Sequence, residues 1–118
     1  RSAAQRLTDF VIANLHVTHK MVQEQPRLYE MVENITLERP ELIREKVDSA
    51  RALLAELIAY GNTTGEFAVE NVQDMAAYVH ASMVVFEVPI FAHLYSLEYF
   101  EQAARGVTGL LVKGLATR

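Results

Sequence analysis

The chain contains four histidines, whose type and spacing could allow them to bind a metal ion. His16 and His19 lie one turn apart on a predicted helix, which would bring two imidazoles towards one ion. His80 and His93 are thirteen residues apart on another predicted helix and point about 140° away from each other. Because a protein metal site usually needs a third and a fourth ligand, we predict no metal and no other cofactor. A metal-responsive domain that uses His16 and His19 stays an alternative interpretation.

Glu87 is a charged residue in unusually apolar sequence surroundings. It lies in the apolar run from Met83 to Pro89, where an unpaired buried carboxylate is costly. His80 precedes it by seven residues and therefore shares its stripe of a helix. The sequence leaves two interpretations open, a structural hydrogen bond in the core or across a dimer, and a contact with a ligand.

Large flexible and amphipathic side chains could line an apolar cavity or fill an ordinary core. They are Tyr60, Met75, Tyr78, Met83 and Phe86. No glycine-rich phosphate loop, nucleophile elbow or H-E-x-x-H sequence accompanies them. We therefore predict that the chain is not an enzyme.

Composition and charge limit the classes of protein that this chain can represent. It has 118 residues, 51% of them hydrophobic and 22% charged, as in one globular domain spanning residues 1–118. It contains no cysteine and no apolar run of the ~18 residues that a membrane span needs, so we expect a soluble, cytoplasmic protein with no membrane partner. Residues 52–104 contain no Lys or Arg but seven Asp or Glu. This acidic stretch argues against nucleic-acid binding by the chain itself.

Proline and glycine divide the chain into segments with helical period, so we predict an all-α bundle of about five helices. The predicted segments are 2–23, 26–35, 40–60, 69–94 and 96–116. Gly61 is predicted to cap the third helix and Ser96 to begin the fifth. Pro89 is predicted either to kink the fourth helix or to start a new turn.

The composition of the last two predicted helices, 69–94 and 96–116, predicts that the chain forms a dimer. Residues 81–95 are apolar nearly all round, and a helix of that kind has to be covered on every face. The fifth segment carries small residues that let another helix approach closely. We therefore expect the two helices and their copies to form a four-helix homodimer interface. The expected interface residues are Val85, Val88, Phe91, Phe100, Ala103, Gly106, Val107 and Leu110.

Several stretches together resemble the C-terminal domain of TetR-family transcriptional regulators. Leu53–Gly61, followed by Gly65–Phe67 and an acidic-to-apolar helix, is similar to the middle of that domain. Phe100–Leu115 resembles its closing dimerisation helix, and Leu7–Val22 with Gln25–Glu30 resembles its first two helices. The resemblance covers nearly all of the chain.

This resemblance implies one half of a bacterial repressor that binds operator DNA as a homodimer. The helix-turn-helix unit is absent from this chain, which begins without Met, so we expect a fragment that reaches DNA only through that missing unit. The implied role is to bind a small, apolar effector whose binding releases the DNA. A dimerisation module without a ligand is the alternative. The implied pocket lies among the first, third and fourth helices, with contacts from His16, His19, Tyr60, Tyr78, His80, Met83 and Glu87.

Overall fold

The computed structural model describes residues 1–116, which form five α-helices and two short 3₁₀ turns. The helices are α1 (Ala3–Glu24), α2 (Leu28–Glu38), α3 (Pro40–Thr64), α4 (Val72–Ser82) and α5 (Leu97–Leu115). The 3₁₀ turns, Val84–Phe86 and Pro89–His93, join α4 to α5. The predicted all-α fold class is thus confirmed. No helix in the described range is long and apolar enough to cross a membrane.

The core forms where α1 lies against α3 and α5 and where α3 lies against α4. One stripe of α1 is fully buried because its apolar side chains recur every four residues, at Ala3, Leu7, Val11 and Leu15. Leu54 and Ile58 of α3, Ala76 and Val79 of α4, and Phe100 and Ala104 of α5 complete the core. α2 buries only Leu28 and lies at the edge of the bundle.

The start of α1 is capped twice. The Ser2 hydroxyl accepts a hydrogen bond from the Gln5 N–H, and the Gln5 side chain accepts one from the Ser2 N–H. The carboxylate of Glu66, from the loop after α3, accepts the N–H groups of Ala3 at 2.8 Å and Ala4 at 3.3 Å. These contacts satisfy donors that a helix leaves open at its first turn.

The end of α3 lies one turn beyond its predicted position. Gly61 is not the cap but a buried residue of the last turn, and the cap is Gly65 with φ +82°. The ring of Phe67 packs onto Gly61 so closely that a Cβ there would lie 2.0 Å from Phe67 Cδ2. Glycine at position 61 therefore allows the Phe67 ring to pack closely, and Gly65 adopts the left-handed conformation that ends the helix.

The predicted fourth helix, residues 69–94, is wrong in its second half. α4 ends at Ser82, and the chain continues through the two 3₁₀ turns, of which Pro89 begins the second. Val88 has extended backbone angles (φ −90°, ψ 119°), as the residue before a proline prefers. Because Pro89 also lacks an N–H, it disfavours an α-helix that runs straight through this point. Ser96 caps α5 as predicted, by accepting the Tyr99 N–H.

Candidate functional site

A partly buried polar cluster lies where α1, the end of α4 and the first 3₁₀ turn meet. His80 Nε2 is 3.2 Å from Glu87 Oε2, and Asn14 Nδ2 donates to Glu87 Oε1 at 3.4 Å. The turn after Ser82 brings Glu87 back towards His80, so the predicted proximity of these two residues is realised without a continuous helix. We call Asn14, His80 and Glu87, with the buried Met83 beside them, the polar cluster.

The electrostatics of the polar cluster centre on Glu87. Burial raises the pKa of the Glu87 carboxyl above its ordinary value, although the charges of His80 and Lys46 and the hydrogen bond from His80 act to lower it. Lys46 belongs to α3, so a third helix contributes to the field at this carboxylate. The arrangement brings a carboxylate, an imidazole and an amide within hydrogen-bonding distance of one another.

His16 and His19 lie elsewhere, between α1, the second 3₁₀ turn and α5. His16 Nε2 is 2.7 Å from Glu101 Oε1. The His19 ring meets Phe100 edge-on at 5.3 Å between centroids, and its buried Nε2 has no hydrogen-bond partner. Burial lowers the pKa of His19, and repulsion from His16 and His93 lowers it further, against the attraction of Glu101. Within residues 1–116 no group of three His, Asp or Glu side chains is placed to hold a metal ion.

The two tyrosines predicted as ligand contacts do not join the polar cluster. Tyr78 is 66% exposed on the outside of α4. Tyr60 lines an open groove of about 390 Å³ between α1 and α3, where the guanidinium of Arg6 lies 4.0 Å from the centre of its ring. The seven predicted ligand contacts therefore fall into four places. His80, Met83 and Glu87 share one and His16 and His19 share another, while Tyr60 and Tyr78 each lie apart.

Asn14, Lys46 and Arg6 belong to these sites but were not among the predicted contacts. Asn14 did carry a signal, because it is a polar residue on the otherwise apolar side of the first helix. Lys46 and Arg6 lie on exposed positions of amphipathic helices and look like ordinary surface residues in the sequence.

The predicted dimer residues lie partly on the surface and partly in the core. Leu110 is 72% exposed and Val85 40%, and no neighbouring atom lies within 4 Å of a Cβ built on Gly106. Val88, Phe91, Ala103 and Val107 are half-buried. Phe100 is a core residue, only 2% exposed, so its side chain is not available to a second copy.

The comparison with protein families gives one result. The model of the tetracyclin repressor-like C-terminal domain matches residues 3–108, which is most of the chain and includes the polar cluster. No curated protein matches the chain, and no solved structure does so either.

Proposed function

Because this chain belongs to the tetracyclin repressor-like C-terminal domain family, we propose that it is the effector-binding and homodimerisation domain of a bacterial transcriptional repressor. The regulator binds operator DNA through a helix-turn-helix unit outside residues 1–118. A small, mainly apolar molecule binds to this domain and shifts the dimer to a state that releases the DNA. The domain itself performs no catalysis and acts in the cytoplasm.

The burial of Glu87 is the observation that carries the proposed effector site. Its raised pKa means that burial disfavours the ionised carboxylate more than His80 and Lys46 favour it. A glutamate at this position therefore costs stability in its charged form, and such costs concentrate at functional sites. We assign the effector's polar group to this carboxylate and its apolar part to the neighbourhood of Met83.

The proposed homodimer is supported by apolar surface on one stretch of chain. Residues 84–99 and the outer side of α5 expose large apolar side chains, among them Val85, Ile90, Leu94, Tyr95 and Leu110. Exposed apolar surface of this kind is typical of protein–protein contacts. A second copy placed there also covers Gly106, where a helix can approach closely.

The test uses the complete regulator, including the DNA-binding unit. Its operator is first selected from random duplexes, and compounds are then screened for loss of DNA binding by fluorescence anisotropy. We expect at least one small organic compound to release the DNA and to raise the melting temperature, as a ligand that binds the folded state must.

Substitution at Glu87 then locates the effector. The Glu87→Gln variant is expected to bind DNA as a dimer but to need at least about tenfold more compound for release, since a charge-assisted contact is lost. Glu45→Gln, an exposed glutamate on α3, is the matched control and is expected to behave as wild type. Equal responses of the two variants would contradict the effector site. A dimer that binds no compound would favour a dimerisation module without a ligand.

A further inference from the structure

The imidazole of His19 lies where α1 packs against the second 3₁₀ turn and against α5. Three other titratable groups act on it there: His16 from α1, His93 from the 3₁₀ turn and Glu101 from α5. We call His16, His19, His93 and Glu101 the histidine junction. None of them belongs to the polar cluster, to which the effector's contacts are assigned above.

The surroundings of His19 suit an uncharged ring. The ring meets Phe100 edge-on at 5.3 Å between centroids, and its buried Nε2 has no hydrogen-bond partner within residues 1–116. A neutral imidazole carries one N–H, whereas the protonated ring carries an N–H on both nitrogens. Protonation in place would therefore leave a charged ring with a buried donor that has no acceptor, which is costly.

The charged neighbours of His19 add to this cost. His16 and His93 both repel a charge on His19, whereas Glu101 attracts it. The Glu101 carboxylate already lies 2.7 Å from His16 Nε2, so it is shared with a second imidazole. Burial acts together with the two repulsions and lowers the pKa of His19 below its ordinary value.

The contact between His19 and Phe100 joins α1 to the connection between α4 and α5. The Phe100 ring also meets Phe86 of the first 3₁₀ turn at 6.4 Å, and Tyr95 and Tyr99 at 5.9 Å each. These rings come from both ends of residues 84–99. A movement of the His19 ring away from Phe100 therefore affects the packing of that whole stretch on α1.

We propose that the histidine junction is an acid-sensitive switch, in which protonation of His19 moves its ring away from Phe100 into water and loosens residues 84–99 from α1. The open form binds a proton more readily than the closed form, so closure weakens as the pH falls below the ordinary histidine pKa. In the regulator proposed above, opening would also reach Glu87 and the apolar surface assigned to a second copy. That consequence rests on the proposed function, whereas the switch itself does not.

Hydrogen–deuterium exchange of the full chain, without effector or DNA, tests the switch at pH 7 and at about pH 5.5. After correction for the intrinsic effect of pH on exchange, we expect the amides of residues 84–99 to exchange roughly threefold to tenfold faster in acid, since one proton supplies up to about tenfold per pH unit. His19→Phe keeps a ring beside Phe100 without a titratable nitrogen and is expected to abolish this acid response. His19→Gln serves the same purpose if His19→Phe does not fold.

His80→Gln is the matched control, because it removes a histidine that contacts Glu87 in the same stretch of chain but lies outside the junction. We expect it to keep the acid response. An acid response that is lost in His80→Gln but kept when His19 is replaced would overturn the proposal, as would equal exchange of the wild type at the two pH values. A His19 pKa at or above the ordinary histidine value, measured by NMR titration, would overturn it as well. The effector screen described above decides the proposed function separately.

Discussion

Two connections between helices, the loop after α3 and the segment after α4, use their side chains in opposite ways. In the first, which we call the clasp (residues 65–68), Glu66 holds the start of α1 and the Ala68 N–H donates to the Leu115 carbonyl at 3.0 Å. Phe67 between them is 4% exposed and packs on Gly61. Three helices are therefore joined at one loop by contacts within the chain.

The second connection, the 3₁₀ segment (residues 84–93), leaves much of its apolar surface uncovered. Phe86 is its only buried side chain, whereas Val84, Val85 and Ile90 are 36–40% exposed. Its carboxylate, Glu87, is held at a cost that its partners do not offset. The clasp thus uses its side chains for contacts within the fold, whereas the 3₁₀ segment leaves side chains uncovered, which we propose serve a ligand and a second copy.

The largest expected effect compares one phenylalanine from each connection. Phe67→Ala is expected to lower the free energy of unfolding by about 3 kcal/mol, since it empties a closed site in the core. Phe91→Ala, in the half-buried part of the 3₁₀ segment, is expected to cost about 1 kcal/mol. Urea unfolding of both variants measures the difference. Equal losses would mean that the two connections contribute equally to the core.

The second prediction concerns acid stability at the clasp. The N–H of Ala3, with further help from Ala4 and Thr64, lowers the pKa of Glu66 despite some burial. A carboxyl whose pKa is lower in the folded state stabilises the fold above its ordinary pKa, and this contribution disappears as the pH falls through the folded pKa. We expect the urea midpoint of Glu66→Gln to fall below that of wild type at pH 7 and the gap to close at low pH.

Glu70→Gln, an exposed glutamate just after the clasp, is the control for that experiment and is expected to match wild type. A gap between Glu66→Gln and wild type that persists at low pH would show that Glu66 acts through packing.

Glu87 in the 3₁₀ segment is expected to respond with the opposite sign. Because its pKa is raised in the folded state, ionisation of Glu87 weakens the fold as the pH rises above the ordinary carboxyl pKa. Glu87→Gln should therefore raise the melting temperature by a few degrees at pH 7, with the advantage vanishing in acid. Thermal unfolding followed by circular dichroism at several pH values measures it. A lower melting temperature at pH 7 would show that the pairing with His80 outweighs burial.

The smallest expected effect on folding is that of a change at Leu110, although its expected effect on assembly is large. Leu110→Ser should change the free energy of unfolding of the monomer by less than about 0.5 kcal/mol, as at other exposed positions. Sedimentation velocity should show dissociation of the proposed dimer at concentrations where wild type is paired. Leu37→Ser on α2, where leucine is 75% exposed, is the matched control. If Leu37→Ser dissociated the dimer and Leu110→Ser did not, the interface would lie on the other side of the molecule.

The sequence predicts the helices of this fold better than their ends. Hydrophobic period and the positions of proline locate five segments, since both act locally. The choice between Gly61 and Gly65 as the cap depends on Phe67, which reaches back to Gly61 only in the folded chain. The polar cluster likewise combines a feature that the local sequence predicts with one that depends on tertiary packing. That Glu87 needs a partner follows from its apolar neighbours, but Asn14 lies 73 residues away and is identified only by tertiary packing.

The two 3₁₀ turns also make the connection between α4 and α5 longer than an α-helix of the same residues would be. A 3₁₀ helix rises about 2.0 Å per residue and an α-helix about 1.5 Å. The eight residues of Val84–Phe86 and Pro89–His93 therefore span about 4 Å more than the same residues would as α-helix. Glu87 lies between the two turns, so an effector bound at its carboxylate, as proposed above, would act on the connection between α4 and α5.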